Sequence, residues 1–493
     1  MPHGIEIRLI EAVTPMVREL VVTEARALAD LRYADVRLEV GEGKFAGAEN
    51  GLAKTSGDDY AFAVGIRVLA GRRMTAPGYF GRGLGAADLP HLARLLREGL
   101  RAAYRRAVAN AEMKAEVKGK FGALGDALSD TRLHPIQVRQ EVVAAVFEVD
   151  PRGVALDDMQ RLTTDVSRRV KASHCRVSYN YVSTMTQLSR ELFASTEGAL
   201  IDQSFALTQG MCYVVATGPD NSQEIYDVLG HQRGWEILRR GVSEPLIEFP
   251  PFPEFSLAIA HDGVELAAAP ALAPPAGEVA VVTDPHYNTL LSHEIIGHPV
   301  ELDRGLKMET AYAGRSWLLR GLGDTQLGKR VASPLVTAFS DPSLPGYGHY
   351  AYDHEGTPAR RVVHIDRGVF TGFMNSRQTA AVFGGEPNGH FKATDASLVP
   401  LIRMSNTVFA GGDRDPGDIV REVDRGYYVS GHRTPSIAES RENFRISARK
   451  VYEIRDGRLG RLYRDGGIMA DTREYLMNVD AVGSDFRLYP IPN

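Results

Sequence analysis

Cysteine is nearly absent from this chain: Cys175 and Cys212 are the only two among 493 residues. Two thiols close at most one bridge, so a disulfide framework is excluded and a reducing compartment is expected. Long apolar runs are missing as well. No stretch approaches the ~20 residues that a helix needs to cross a bilayer. The opening residues, Met-Pro-His-Gly-Ile-Glu, lack the basic start and apolar centre of a signal peptide. Charge of one sign is not in excess either, since 57 Lys+Arg against 62 Asp+Glu leave a formal net charge of −5. That balance gives no electrostatic footprint for nucleic acid or for an anionic membrane. The expectation is a cytoplasmic protein with neither of those partners.

What is present is the composition of a globular protein, 44% hydrophobic and 24% charged. A chain this long exceeds one ordinary core, which predicts two or three domains. Apolar residues at helical spacing over 8–31 lead into strand-like alternation at 34–40 and 60–69. Helices follow at 88–116 and 157–171, then strands at 176–182 and 184–188, short strands from 191 to 216, and a polar-then-helical stretch at 220–240. This is an α+β pattern, helices on a mainly antiparallel sheet. Prolines cluster at 250–253 and again at 270, 274 and 275, placing a boundary near residue 272. Residues 1–272 are then an α+β domain and 273–493 a β-rich domain, a sheet or barrel carrying one functional helix. Within the second, Arg367–Gly368 and Asp456–Gly457 sit between strands as hairpin turns do.

One hexapeptide stands apart: His293–Glu294–Ile295–Ile296–Gly297–His298, on a segment, 287–302, that reads as helix. The metalloprotease motif with histidines at i and i+4 puts both imidazoles on one helical face, with the glutamate as general base. Here the spacing is i and i+5, about 140° apart on an ideal helix of ~3.6 residues per turn. A shared metal therefore requires a distorted turn, and Gly297 is a residue type that tolerates one. The bland alternative is a helix with two surface histidines, against which the apolar flanks around 290–291 and 299–300 argue for burial. His349, His354, His364, His390 and His432 are further candidates for a ligand or a donor. Asp353 and Glu355 read either as acceptors behind a metal-bound histidine or as turn residues. Arg403 to Thr407, Asn406 included, reads either as lying beside an extended peptide or as an internal strand. Cys212 reads as a buried core thiol.

These motifs come in a recognisable order. After the hexapeptide follow Gly346–Tyr347–Gly348 and Asp353–His354–Glu355–Gly356–Thr357–Pro358. Then come Ile402–Arg403–Met404–Ser405–Asn406–Thr407, Asp424–Arg425–Gly426–Tyr427 and Val482–Gly483–Ser484–Asp485. With 34–38 and 65–68 near the start, they resemble the TldD/PmbA family of metallopeptidases, and the hexapeptide resembles its TldD-like, HExxxH-bearing branch. The resemblance implies a two-domain zinc (Zn2+) peptidase acting on unfolded or small peptides. It implies a dimer too, either a homodimer or a heterodimer with a PmbA-like subunit. On this resemblance His293 and His298 hold the metal and Glu294 is the general base. The third ligand would be a cysteine in a Cys-Gly-Lys-type loop, expected at or just past the end of the sequence at Asn493. Neither Cys175 nor Cys212 takes a matching place, so Asp353, His354, Glu355 and Asp485 are the substitutes to consider. The alternative reading is a non-catalytic peptide-binding or scaffolding subunit that keeps two histidines and an incomplete site.

Overall fold

Two long antiparallel hairpins dominate the N-terminal half of the computed structural model, which describes residues 5–311 and 314–489. Helix α1 (Leu9–Glu19) leads to β1 (Leu31–Glu49), β2 (Leu52–Ala70) and β3 (Ala76–Gly83). Helix α2 (Leu92–Val117) packs on β2 and β3 through Leu92, Leu96, Leu100, Ala103 and Ala107, the three-and-four spacing of one helical face. Then come β4 (Gln140–Val143), α3 (Leu156–Ser173), β5 (Val177–Ser195), β6 (Leu200–Thr217), β7 (Ser222–His231) and α4 (Phe252–Ala268). The strands join in the order β3-β2-β1-β5-β6, with β4 and β7 both on the outer side of β6. All neighbours are antiparallel except β4 with β6.

Where several short strands are predicted between 176 and 216, there are two long ones. The apolar run is broken by threonines that nonetheless face the interior in pairs, Thr186 to Thr208 at 2.7 Å and Thr163 to Thr184 at 3.0 Å. A buried hydroxyl pair satisfies itself and lets a polar-looking sequence stay in the sheet. The predicted polar stretch after 220 is β7 for the same reason: Asp227 is held inside by Arg449. Cys212 is fully buried, as expected, and burial pushes its thiol up to about 12.

The C-terminal part begins with β8 (Ala280–Thr283) and α5 (Pro285–Ser292). It continues with β9 (Ala338–Ser340), β10 (Val362–Asp366), β11 (Val369–Phe370) and β12 (Thr407–Phe409). Last come β13 (Arg425–Ile437), β14 (Asn443–Arg455), β15 (Arg458–Tyr463) and β16 (Gly467–Asp471). One sheet runs β8-β13-β14-β15 with β16 also on β14; another runs β11-β10-β9-β12. Neither order returns to its first strand, so the sheets are open, and the barrel alternative is not the one realised. Both predicted hairpin turns are present, with left-handed φ at Arg367 (45°), Gly368 (83°), Asp456 (50°) and Gly457 (72°), the conformation that matches strand twist. Among the described residues no helix is long and apolar enough to cross a membrane.

Candidate metal centre

Helix α5 is built to be held still. Asp284 caps it, accepting from Tyr287 N at 2.6 Å, and Pro285 occupies the first turn. The same carboxylate accepts from Gly431 N (3.0 Å) and Ser430 Oγ (2.7 Å), which ties the cap to β13. Tyr287 Oη donates to Ile446 O on β14. Tyr287, Leu290 and Leu291 lie in one apolar core with Ile295, Ile296 and Phe444.

At His293 the helix widens. Residues His293–Gly297 form a π turn in which His298 N donates to His293 O, and His298–Val300 continues as a 3-10 turn. Bonding i to i+5 brings residues five apart onto the same side, which the spacing of the two histidines requires. Pro299 helps: with no N–H, it cannot donate to Ile295 O as an α-helix would demand. The reason for a glycine at 297 differs from the sequence expectation. Its φ and ψ, −56° and −58°, are those of any helical residue. What Gly297 provides is room, since a Cβ there would meet Met404 Sδ at 1.9 Å.

The two imidazoles meet at 90° with ring centres 4.7 Å apart. Two imidazoles sharing one zinc at ~2.0–2.1 Å per bond have ring centres roughly 5 Å apart, so this pair is spaced for a common ion. His298 Nδ1 lies 3.2 Å from Glu301 Oε2, a fully buried carboxylate. A carboxylate can only accept, so Nδ1 carries the proton and Nε2 presents a lone pair. Glu301 is also bound by Arg304 Nε and by Arg403 Nη1, the latter at 3.3 Å. Burial, then the neighbouring guanidinium groups, holds His298 down at about 2; burial and then His298 itself hold His293 down at about 3. Both rings are therefore neutral across the physiological range, the form that binds metal. Glu294 is buried, pairs with Arg441, and is pushed up by burial in spite of that arginine.

Arg403 thus joins the histidines, through Glu301. Asn406 does not touch them; its side chain accepts from Gly348 N (3.1 Å) and donates to Leu344 O (2.8 Å), fixing the 346–348 loop. Asp353, His354 and Glu355 find their partners in a different place. The Asp353 carboxylate accepts from the backbone of Glu355, Thr357 and Phe391. His354 Nδ1 meets Arg37 (2.9 Å) and Ala393 N (3.0 Å), and its Nε2 faces Glu191 (3.1 Å). Glu355 binds Arg67 and the backbone of Arg377. These residues knit the C-terminal part to β1, β2 and β5, and turn chemistry plus buried ion pairing accounts for them. Among the described residues, the only three potential ligands with donor atoms all within 4.8 Å of one another are His261, Asp262 and Glu265 on α4. No third donor is gathered beside His293 and His298 there. The place expected for a cysteine, at or past Asn493, lies outside the described residues.

Sequence reasoning missed Glu301 and Arg441. Glu301 was findable, because a carboxylate three residues after a helical histidine can reach its outer nitrogen. Arg441 was not, since 147 residues separate it from Glu294.

His293 opens onto a cleft of ≈ 1620 Å³. Two of its walls are sheet edges: β8, hydrogen-bonded on one side by β13, and β12, hydrogen-bonded on one side by β9. Arg403, Asn406 and Asp485 line it as well.

Comparison with known proteins shows what family and fold the chain shares. The profile described as the PmbA/TldA metallopeptidase C-terminal domain matches residues 276–491. A metalloprotease of Methanothermobacter thermautotrophicus is 30% identical over 338 residues, 69% of each chain. A zinc metalloprotease TldD homolog of Saccharolobus solfataricus is 28% identical over 217 residues, 43% of this chain and 45% of the other. The fold is shared with the crystal structure of TldE from Thermococcus kodakarensis, with a TM-score of 0.67 at 17% identity, covering 94% of this chain and 93% of that one.

Proposed function

Because the chain belongs to the PmbA/TldD family of metallopeptidases, we propose that it is a zinc-dependent peptidase of unfolded or small peptides. The observation that carries this reading is the π turn, which sets His293 and His298 at right angles with ring centres 4.7 Å apart. Both imidazoles would hold the ion, and any remaining protein ligand would come from beyond the described residues. A bound zinc polarises a carbonyl and lowers the pKa of water to ~7.

The residues of the chain supply the rest. Glu301 keeps His298 in the tautomer that offers Nε2, while Arg304 and Arg403 balance its buried charge. Glu294 takes the proton of the attacking water as the new C–O bond forms, and returns it to the amine as the C–N bond breaks. An extended peptide adds as a strand to the edge of β8 or β12, where main-chain hydrogen bonds give affinity with little demand on sequence. The dimer, with a second copy or with a PmbA-like subunit, belongs to the same reading.

Zinc-free protein is expected to leave an unfolded peptide intact, and one equivalent of zinc is expected to start cleavage, with His293→Ala failing to respond. Zinc bound at one equivalent without any cleavage would favour the second reading, a non-catalytic peptide-binding subunit, for which the pairing of only two donors among the described residues speaks.

Glu301→Gln provides a finer check. The amide can still accept from Nδ1 but removes the negative charge that faces Arg304 and Arg403. Zinc affinity, read by competition with a chromophoric chelator, should fall ~10–100-fold. Unchanged affinity would mean that Glu301 does not set the histidine.

A further inference from the structure

Arg441 is a non-glycine residue with left-handed backbone, φ 65°, at a place where the chain could have used glycine. It sits in the connection between β13 and β14, which is clamped from three sides. Arg441 N donates to Ala438 O at 2.9 Å, and Arg441 O accepts from Thr472 Oγ1 at 2.7 Å. Thr472 N donates to Glu442 O, and Arg315 N donates to Glu439 O, each at 2.7 Å. Left-handed backbone is disfavoured for a side-chain-bearing residue, and such outliers persist where the surroundings over-determine them. The side chain that this turn delivers reaches the carboxylate of Glu294, with both groups almost wholly out of solvent.

We propose that Arg441 is a positioning residue for Glu294: the strained turn is retained because it aims the guanidinium that fixes the carboxylate of the general base. The proposal rests on the peptidase reading. Glu294 lies in the π turn, and its carboxylate accepts from Arg441, which belongs to a different element. The guanidinium is planar and rigid, and its Nη1 donates to Glu294 Oε2, so it restrains where the carboxylate sits. A base displaced by ~1 Å from a productive geometry can lose ~100-fold in rate.

Arg441→Gly separates a positioning role from a structural one. Glycine accepts left-handed backbone freely, so the turn should survive. The Glu294 carboxylate is left buried without its guanidinium, so the melting temperature should fall, and rates are compared well below the melting range. The variant should still bind one equivalent of zinc with undiminished affinity. Its kcat should fall ~10–100-fold with KM nearly unchanged, because the group acts on the step and not on peptide binding. Added guanidinium should restore part of kcat, and Arg441→Lys, which keeps charge without the planar group, should fall between. A variant that turns over like wild type would overturn the inference, and so would a loss accompanied by lost zinc, or one that guanidinium does not relieve. If zinc-loaded wild type itself cleaves no peptide, the peptidase reading fails and this inference with it. If wild type cleaves beside an unimpaired Arg441→Gly, the inference alone fails.

Discussion

Glu294→Gln is expected to remove peptide cleavage, a loss of ~10²–10⁴-fold, while zinc content stays at the wild-type level. The size follows from what a positioned base contributes to proton transfer. The unchanged zinc follows from geometry: the two imidazoles face each other at the spacing a shared ion would need, whereas Glu294 turns to Arg441. The substitution also takes the negative charge from a buried pair. Glutamine Oε1 can still accept from Arg441, so the fold should survive with a lowered melting temperature. Rates should therefore be compared well below the melting range, with zinc measured on the same sample. Zinc lost in step with activity would show that Glu294 is a ligand and that the base lies elsewhere.

The hexapeptide was legible because its spacing makes a mechanical demand. Two histidines five apart cannot share an ion on an α-helix, and the chain answers with a π turn. The surroundings of the turn were legible only where the contact is local. Glu301 lies three residues from His298, within one turn. Arg441, Arg403 and Met404 come from other elements, and no pattern near residue 293 announces them. The same distinction explains the fold. Helices α2 and α3 carry their apolar stripes in the sequence, so their positions emerge from periodicity alone. Strands β5 and β6 hide theirs, because buried Asn180, Thr184, Thr186 and Thr208 look like surface residues until their partners are seen. Asp353, His354 and Glu355 made the opposite error possible. Acidic and imidazole groups grouped in a motif suggest metal chemistry, yet here Arg37 and Arg67 from β1 and β2 engage His354 and Glu355. Whether a carboxylate faces a metal or an arginine depends on long-range pairing, which spacing does not encode.

The zinc-free protein is expected to lose stability as pH falls from 7 towards 4. Among the described residues burial holds seven histidines far below their ordinary 6.5: His293, His354 and His390 at about 3, His298 at about 2, and His231, His364 and His432 at about 4. In the unfolded chain each takes a proton near pH 6.5. Between that value and the folded one, only the unfolded state gains protons, so each such group lowers stability by up to about 1.4 kcal/mol per pH unit as pH falls. Buried carboxylates oppose this. Asp303, Asp353 and Glu39 are pushed up by burial to about 7, and Asp35, Glu294 and Glu301 are raised in the same way. These favour the folded state at acid pH, and that advantage is lost as pH rises through their folded values. The histidines outnumber them, so the net slope should favour unfolding on acidification, against a total stability of ~5–15 kcal/mol. Melting temperatures at pH 7, 5.5 and 4 should fall in order. His364 lies between Gly372 O (3.0 Å) and Ser340 Oγ (2.8 Å), hydrogen-bonding to neither His293 nor His298. Its replacement by asparagine should lower stability at pH 7 yet flatten the acid slope. Bound zinc should steepen that slope, because protons compete for the same imidazole nitrogens. A melting temperature that stays level from pH 7 to 4 without metal would mean that these histidines protonate in place, and that the interior around them is not as dry as their burial implies.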